Sequence, residues 1–438
     1  MEIAAAVAVV TAFGAAILLV RPAARRTLGV LHPAVVWLGL EAVFFGAGSI
    51  VMAVPGGRAG PALFVAGSVL AAGIGTWAAD RLARRRERWS VTQEELVREA
   101  APPLEIERGN RRLGAPAVAL ISVVAIVPTL VVTGIPLLTG DITAARSDVV
   151  GIAVQLIRVA LPGLVAVWLL DTVSGHAPAG RRSIAWIALA ACLAFTFSLG
   201  SRYLPLELGA AVVLAWLLSG RRLPGRPAIA VALLAGIVFV GFGVVRAADR
   251  AAGDPFGFAV ERTVSRVFLV QPRTLAALQE RIPAEEPYFL GATWLRRIGP
   301  LLGRDIPNLG YWIYPRVVPG EQTTAGYAAP GLLGEAWANF GPAGVALFGL
   351  LGVFCERLGS LVARRRGRAV DVAAGGLAIL FVARTHALGL MGLALLLGIV
   401  LAWRWLAGAD AGLGRDLVAA ARWRLGSTSM NVPEDDRR

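Results

Sequence analysis

The chain contains no lysine, because all 43 of its basic residues are arginine, and it is also poor in cysteine and histidine. Its two cysteines, Cys192 and Cys355, lie in or at the end of apolar runs and lack the spacing of a disulfide framework or a metal site. Its histidines are His32, His176 and His386, and no loop predicted to face outward carries the carboxylate cluster that a divalent cation would need. No glycine-rich phosphate loop follows a strand pattern. We therefore predict a protein that uses no metal ion and no cofactor.

Charge of either sign is scarce as well. Charged residues make up 16% of the chain and hydrophobic residues 56%, and the mean hydropathy is +0.66. Apolar surface on this scale can be hidden only by lipid. The net charge of +14 does not indicate nucleic acid, because the arginines form short clusters between apolar runs and not a basic groove. We predict an all-α polytopic membrane protein, a single integral membrane domain over residues 1–438, with the lipid bilayer as partner and no nucleic acid.

The apolar runs predict the number of membrane spans. Each spanning helix needs about 20 predominantly apolar residues, and the sequence contains about eleven such runs. They cover residues 3–20, 30–54, 61–79, 113–138, 149–170, 184–200, 203–219, 228–245, 331–354, 370–387 and 388–406. Only residues 384–389 interrupt the last two, so the helix count within 370–406 stays open.

The arginine clusters predict how these spans are oriented, because short loops on the cytoplasmic side are enriched in basic residues. Arginine-rich and arginine-poor loops alternate along the whole chain, with the N-terminus outside. The arginine-poor outside turns hold one each, namely Arg58, Arg146 and Arg202. This alternation predicts a cytoplasmic loop at 80–112, a large extracytoplasmic loop at 246–330 and a cytoplasmic tail at 407–438.

Ionisable residues within a span are costly and are therefore candidates for a functional site. They are Glu41, Arg158, Glu207, Glu335, Arg384 and His386. At a rise of about 1.5 Å per residue, most of them fall in the outer half of the membrane, below the large loop, whereas Arg158 lies close to the midplane. Structural roles remain open: Arg158 would pair with Glu41 to fix helix packing, and His386 would be a satisfied polar contact.

Several arginines around one outward cavity suit a diphosphate carried on a lipid, because guanidinium groups bind phosphate oxygens bidentately. A nearby carboxylate would accept a proton from an attacking hydroxyl. Arg146 and Arg202 are candidates for the phosphate contacts, although turn arginines also reach headgroups by themselves.

The large loop changes character along its length. Residues 246–302 are charged and amphipathic, whereas the stretch from 304 onward is rich in aromatic and amide side chains. Such side chains suit sugar rings, although tyrosine and tryptophan also gather at membrane interfaces. The candidates for glycan contact are Arg304, Tyr311, Trp312 and Arg316.

Four sequence segments, in this order, carry a resemblance to a known family. They are LHPAVVWLGLEAVFF, GIPLLTGDITAARSDVVG, FSLGSRYLPLELGAAVVL, and TTAGYAAPGLLGEAWANFGPAGVALFGLLG after the long loop. With Arg146 after the GD pair and Arg202 after the GS pair, the chain resembles the oligosaccharide repeat-unit polymerases related to Wzy-type O-antigen polymerases.

The resemblance implies a GT-C-like glycosyltransferase of the cell envelope, active in polysaccharide biosynthesis at the outer face of the cytoplasmic (inner) membrane. It implies polyprenyl-diphosphate-linked glycans as substrates, metal-independent transfer, and chain-length regulator and flippase proteins as partners. It also implies that Arg146, Arg202 and Arg384 contact the diphosphate or glycan, with Glu335, Glu207 or His386 as the base. Arg158 is a further candidate for substrate binding, because of its place within a span. An O-antigen-ligase-like transferase and a lipid-linked oligosaccharide flippase or other transporter remain as alternatives.

Overall fold

The structure is a computed structural model. It describes residues 2–53, 59–90, 126–131, 179–198, 203–221, 254–295, 306–317, 328–364 and 369–384, together with a few single residues between them and beyond 384. Every regular element within these ranges is helical, and none is a strand, so the predicted all-α class is confirmed for this part of the chain.

The described α-helices are numbered here in chain order. They are α1 (Glu2–Arg26), α2 (Pro33–Glu41), α3 (Ala47–Ala53), α4 (Ala59–Ser90), α5 (Ala179–Ser198), α6 (Tyr203–Leu218), α7 (Pro255–Phe268), α8 (Val270–Arg281), α9 (Leu309–Val317), α10 (Gly331–Phe340), α11 (Val345–Arg364) and α12 (Ala369–Ala383). A π-helical turn, here called the π segment (Ala42–Gly46), joins α2 to α3, and 3₁₀ turns lie at Gly29–Leu31, Ala292–Leu295 and Gly341–Gly344.

Four of the described stretches are long and apolar enough to cross a bilayer. They are Ile3–Arg26, Pro33–Met52, Ala59–Arg85 and Gly331–Arg364. Shorter apolar helices cover Trp186–Thr196, Glu207–Leu218 and Asp371–Ala383. These helices support the predicted membrane protein. The predicted spans 113–138, 149–170, 228–245 and 388–406 lie mostly outside the described residues, so the total of about eleven stays a prediction.

The bundle is built on α1, α4 and α11, which run in the same direction. Gly73 of α4 packs on Ala16 of α1, and further along α4 the Oδ1 atom of Asp80 is 2.8 Å from Arg26 Nη2. The run from α2 to α3 is antiparallel to α11, since His32 lies against Gly359 whereas Trp37 stacks on Phe348 at 5.9 Å between ring centroids.

This arrangement gives the bundle two distinct ends. Arg26, Arg84 and Arg364 lie together at one, here called the arginine end. The first residues of α4 lie at the other, here called the loop end, because the large loop packs there.

Glycines allow α4 and α11 to approach closely. A Cβ atom on Gly75 would lie 2.0 Å from the carbonyl oxygen of Gly349, and one on Gly352 would lie 2.1 Å from that of Ala72. Thr76 Oγ1 crosses the same contact and donates to the carbonyl of Gly352 at 3.1 Å. Small residues at the interface let apolar helices pack backbone to backbone, which is how helices associate where no water drives them together.

The described residues between 254 and 340 form the loop module, defined as α7 to α10 with the described segments between them. Its own small core contains Leu278, Ile282, Ile313, Tyr314 and Ala338, among others. It attaches to the bundle at the loop end, where Trp337 meets the Phe64 ring edge to face at 5.2 Å between centroids. The described part of the predicted extracytoplasmic loop 246–330 therefore contains helices α7, α8 and α9, joined by turns and irregular segments.

Two predicted boundaries change in the structure. The third span was expected to end at 79, but α4 continues to Ser90, into the predicted loop 80–112. The ninth span, expected at 331–354, is divided between α10 and α11, because Gly341 takes a positive φ of 58° and ends α10. The chain then folds back, so that a Cβ on Gly344 would lie 2.6 Å from the carbonyl oxygen of Ala336. The depth of Glu335 in the membrane therefore cannot be calculated from its position along a single straight helix.

Candidate functional site

Glu207 and Arg384 were predicted separately as site residues, and the structure brings them together. Arg384 directly follows α12, and its Nη1 donates to Oε2 of Glu207 on α6. The side chain of Glu207 is 2% exposed and that of Arg384 14%. The two helices run antiparallel, since Gly376 of α12 packs against Ala215 of α6. An ion pair buried between apolar helices is costly unless both partners are satisfied, which makes it a candidate for function.

The Glu207–Arg384 pair is displaced from the arginine end of the bundle toward the loop end. Near the arginine end, Gly375 of α12 packs on Val362 of α11. Arg384 follows Gly375 by nine residues, which is about 13 Å along a helix. The structure thus brings Glu207 and Arg384 together, and their location in the outer half of the membrane stays a prediction.

The guanidinium of Arg384 and the carboxylate of Glu207 can play different chemical roles. A guanidinium carries five N–H donors in a planar fork, so a contact to one carboxylate oxygen leaves donors for a second acceptor. The carboxylate fixes the direction of that fork. Glu207 is thus placed to position Arg384, and Arg384 is of the right type to bind a phosphate oxygen.

Glu335 is placed differently from this pair. It lies half-buried on α10, and its backbone carbonyl accepts a hydrogen bond of 2.8 Å from Asn339 Nδ2. α10 packs against α8 within the loop module, whereas α6 and α12 pack on each other. Glu335 therefore belongs to the module that covers the loop end.

Three of the predicted glycan-binding residues share the outer face of α9. Tyr311 is 47% exposed, and the guanidinium of Arg316 lies 4.8 Å from the centroid of the Trp312 ring. Arg316 Nη1 also donates to the carbonyl of Trp312 at 2.8 Å, which fixes the stack. The opposite face, including Ile313, is buried in the core of the module. Aromatic faces beside a cation form a surface that suits a sugar ring.

The remaining predicted site residues lie outside the described part of the chain. They are Arg146, Arg158, Arg202, Arg304 and His386. Glu41, the predicted partner of Arg158, is 1% exposed at the end of α2. Among the described residues, no three histidine, cysteine, aspartate or glutamate side chains converge as metal ligands.

A polar network at the arginine end was missed by the sequence reasoning. Glu356 on α11, 1% exposed, accepts hydrogen bonds from Arg26 Nη2 at 3.0 Å and Ser360 Oγ at 2.8 Å on one oxygen. Its other oxygen is 3.1 Å from His32 Nε2. Arg26 also pairs with Asp80, whose second oxygen is 2.8 Å from Arg84 Nε.

The protonation of His32 follows from its neighbours. Its Nδ1 accepts from the backbone N–H of Ala34 at 3.2 Å, so the ring proton lies on Nε2 and is donated to Glu356. Gly359 makes room for the ring, because a Cβ there would lie 2.8 Å from His32 Nε2. The network therefore joins α1, α2, α4 and α11 at one end. A sequence signal existed, since Glu356 and Ser360, and likewise Asp80 and Arg84, are four residues apart on a helix.

Asn339 is a second residue that the sequence reasoning missed. It is fully buried, and its side chain accepts from the N–H of Gly291 at 2.8 Å and donates to Thr293 Oγ1 at 2.6 Å. The backbone N–H of Leu290 donates to its carbonyl at 3.0 Å. These bonds hold residues 289–293 against α10 and so shape the loop module beside Glu335.

Searches for relatives leave the family open. No protein-family model, no curated protein and no solved structure matches the chain.

Proposed function

We propose that the chain is an oligosaccharide repeat-unit polymerase, which transfers a glycan from a polyprenyl diphosphate to the terminal sugar of another lipid-linked repeat unit. The observation that carries the proposal is the Glu207–Arg384 ion pair, which lies between apolar helices toward the end that the loop module covers. The family resemblance of the sequence supports the same function.

The chemistry needs few protein groups. The acceptor hydroxyl forms a bond to the anomeric carbon, the bond from that carbon to the diphosphate oxygen breaks, and the hydroxyl proton passes to a carboxylate. Negative charge grows on the departing diphosphate, where a fixed guanidinium is most effective.

We assign that role to Arg384, together with Arg146, Arg202 and Arg158. Glu207 acts as a positioning residue, and Glu335 is our first choice for the base, ahead of His386. Tyr311, Trp312, Arg316 and Arg304 form the surface for the glycan chain.

The proposal also fixes the orientation of the chain. We assign the arginine end to the cytoplasm and the loop end to the outside of the inner membrane, with about eleven spans and a GT-C-like arrangement. The grouping of Arg26, Arg84 and Arg364 at one end of the bundle supports this assignment.

A cysteine at Pro287, beside the exposed Glu286, should then react with an impermeant thiol reagent in intact cells, whereas one at Arg86 should not. The native Cys192 and Cys355 are buried and provide little background. The reverse pattern would refute the mechanism.

Substitution of the ion pair tests the activity itself. Arg384→Ala should slow polymer formation by about 10²–10³-fold, the usual cost of removing one donor to developing charge. Single lipid-linked repeat units should then accumulate on the outer face. Arg384→Lys should recover little, because an ammonium lacks the planar fork. Arg364→Ala is the matched control, since Arg364 lies at the arginine end and its Nε contacts only the nearby carbonyl of Ser360 among the contacts described here.

Each other outcome has a definite meaning. Full-length polymer from Arg384→Ala would refute the assigned site. Repeat units retained on the inner face would indicate a flippase, and finished polymer that is not attached to its final acceptor would indicate a ligase.

A further inference from the structure

We propose that α7 lies in the boundary between headgroups and acyl chains at the loop end, with one apolar stripe facing lipid. This inference rests on the chain being a membrane protein and does not depend on the proposed polymerase activity.

The sequence at the N-terminus of α7 favours the start of a helix. Asp254 caps it by accepting from the N–H of Gly257 at 2.8 Å, and Pro255 occupies the first helical position. The segment PFGFAVERTVSRVF then alternates apolar and polar residues at helical spacing. The helix ends at Phe268, and α8 begins at Val270.

The apolar stripe of α7 is only partly covered by the described part of the chain. Phe256, Val260, Val264 and Val267 fall within about 80° of one another around the helix. Phe256 is 62% exposed and Val264 48%, and no described side chain of α7 is buried. Glu261 is exposed about 140° away from Phe256. The helix is amphipathic, and its apolar residues pack very little against the rest of the protein. Another apolar medium is therefore needed to cover them.

The position of α7 identifies that phase as lipid. Its last residue is pressed against α3, since a Cβ on Gly48 would lie 1.6 Å from the carbonyl oxygen of Phe268. Gly48 precedes the end of α3 at Ala53 by five residues, or about 8 Å. Interfacial helices bury their apolar face to a depth of about 5–10 Å, and the contact of Phe268 with Gly48 places the C-terminal end of α7 within that distance of the end of α3.

The protein surface next to α7 is also apolar. α7 packs on the π segment, whose Val43 is 40% exposed, and Val51 of α3 is 56% exposed. These side chains belong to an apolar span and so face lipid. The stripe of α7 therefore extends an apolar surface that the bilayer already covers, and it needs no protein partner.

Spin labels measure this placement directly. Single cysteines replace Phe256, Val264 or, as the control, Glu261 in a full-length background with both native cysteines changed to alanine. Each labelled protein is reconstituted in vesicles of phosphatidylcholine and phosphatidylglycerol. Collisions with oxygen, which enriches in the acyl region, are compared with collisions with a water-soluble nickel chelate.

We expect the nickel collision rate at Phe256→Cys to be about threefold or more below that at Glu261→Cys, while oxygen collisions are higher. Val264 is only about 60° from Glu261 around the helix, so Val264→Cys should give rates between those two. Equal nickel access at all three positions would place the stripe in water and overturn the proposal. Low access to both reagents at 256 and 264 would place the stripe against protein and also overturn it. All three positions are exposed, so a gel-filtration profile matching the unlabelled protein suffices to show that each variant folds.

Discussion

Replacement of Glu356 by alanine tests how much the network at the arginine end contributes to stability. The carboxylate is 1% exposed and receives three donors, from Arg26, Ser360 and His32. Alanine removes the acceptor and leaves His32 with a buried N–H and no carboxylate to receive it. Arg26 keeps Asp80 as a partner, so its charge is not stranded entirely.

The magnitude follows from these contacts. A hydrogen bond to a charged group contributes about 1.5–3 kcal/mol, and breaking a buried ion pair from one side costs about 3–5 kcal/mol. The three bonds to Glu356 share one carboxylate and are not additive. Because Asp80 compensates part of the loss, we expect Glu356→Ala to cost about 3–4 kcal/mol.

Two milder variants separate the contributions. Glutamine offers one acceptor oxygen where Glu356 offers two, and its amide group would place a donor against either His32 or the Arg26 and Ser360 pair. We expect Glu356→Gln to cost about 2 kcal/mol. Ser360→Ala removes one donor only and should cost about 1 kcal/mol.

Unfolding in detergent micelles, followed by tryptophan fluorescence, measures this order. Stability should fall from wild type through Ser360→Ala and Glu356→Gln to Glu356→Ala. The control is Glu285→Ala, which breaks the exposed pair with Arg281 on a helix surface and should change stability by about 0.5 kcal/mol or less. If Glu356→Ala unfolds together with the control, the network contributes no stability and the reasoning is wrong.

Three further substitutions test helix packing and the buried hydrogen bonds of the loop module. Gly352→Ala should destabilise the bundle by about 1–3 kcal/mol, since its Cβ would lie 2.1 Å from the carbonyl oxygen of Ala72. Gly14→Ala, where no atom lies within 4 Å of the new Cβ, should be neutral or stabilise by up to about 1 kcal/mol in the same unfolding assay. Asn339→Ala should speed hydrogen exchange at residues 289–293 at least about tenfold while leaving α4 unchanged, because it removes the bonds to Gly291 and Thr293. Unchanged exchange there would show that other contacts hold this segment.

The sequence predicted the fold best where one physical requirement determines the local structure. Crossing lipid requires a long apolar helix, and the predicted starts at 3, 61, 203 and 370 each lie within two residues of the start of an observed helix. The predicted start at 30 is three residues before the observed start of α2 at Pro33. Run length says nothing about where a helix folds back, so the break between α10 and α11 was not predicted. The pair Gly341 and Pro342 within the apolar run was the available signal, because glycine tolerates the positive φ found there.

The candidate site was predicted as residue types but not as pairs. Glu207 and Arg384 are 177 residues apart in the chain, and only the packing of α6 on α12 makes them neighbours. Glu356 was missed for a related reason. It lies two residues beyond the predicted end of the ninth span at 354, whereas the structure buries it within α11. Burial at a helix end depends on which other helices end there, which one sequence does not state.

The network around Glu356 lies at the arginine end and the proposed site lies away from it, so experiments can test stability and activity separately. The network around Glu356 joins α1, α2, α4 and α11, but it includes neither α6 nor the residue that follows α12. A variant such as Glu356→Gln should therefore lower the unfolding midpoint while each folded molecule keeps its activity. Arg384→Lys keeps the charge and should do the reverse. If both variants lowered activity and stability together, the arginine end and the proposed site would act as one unit, and Arg384 would have to be reassigned a structural role.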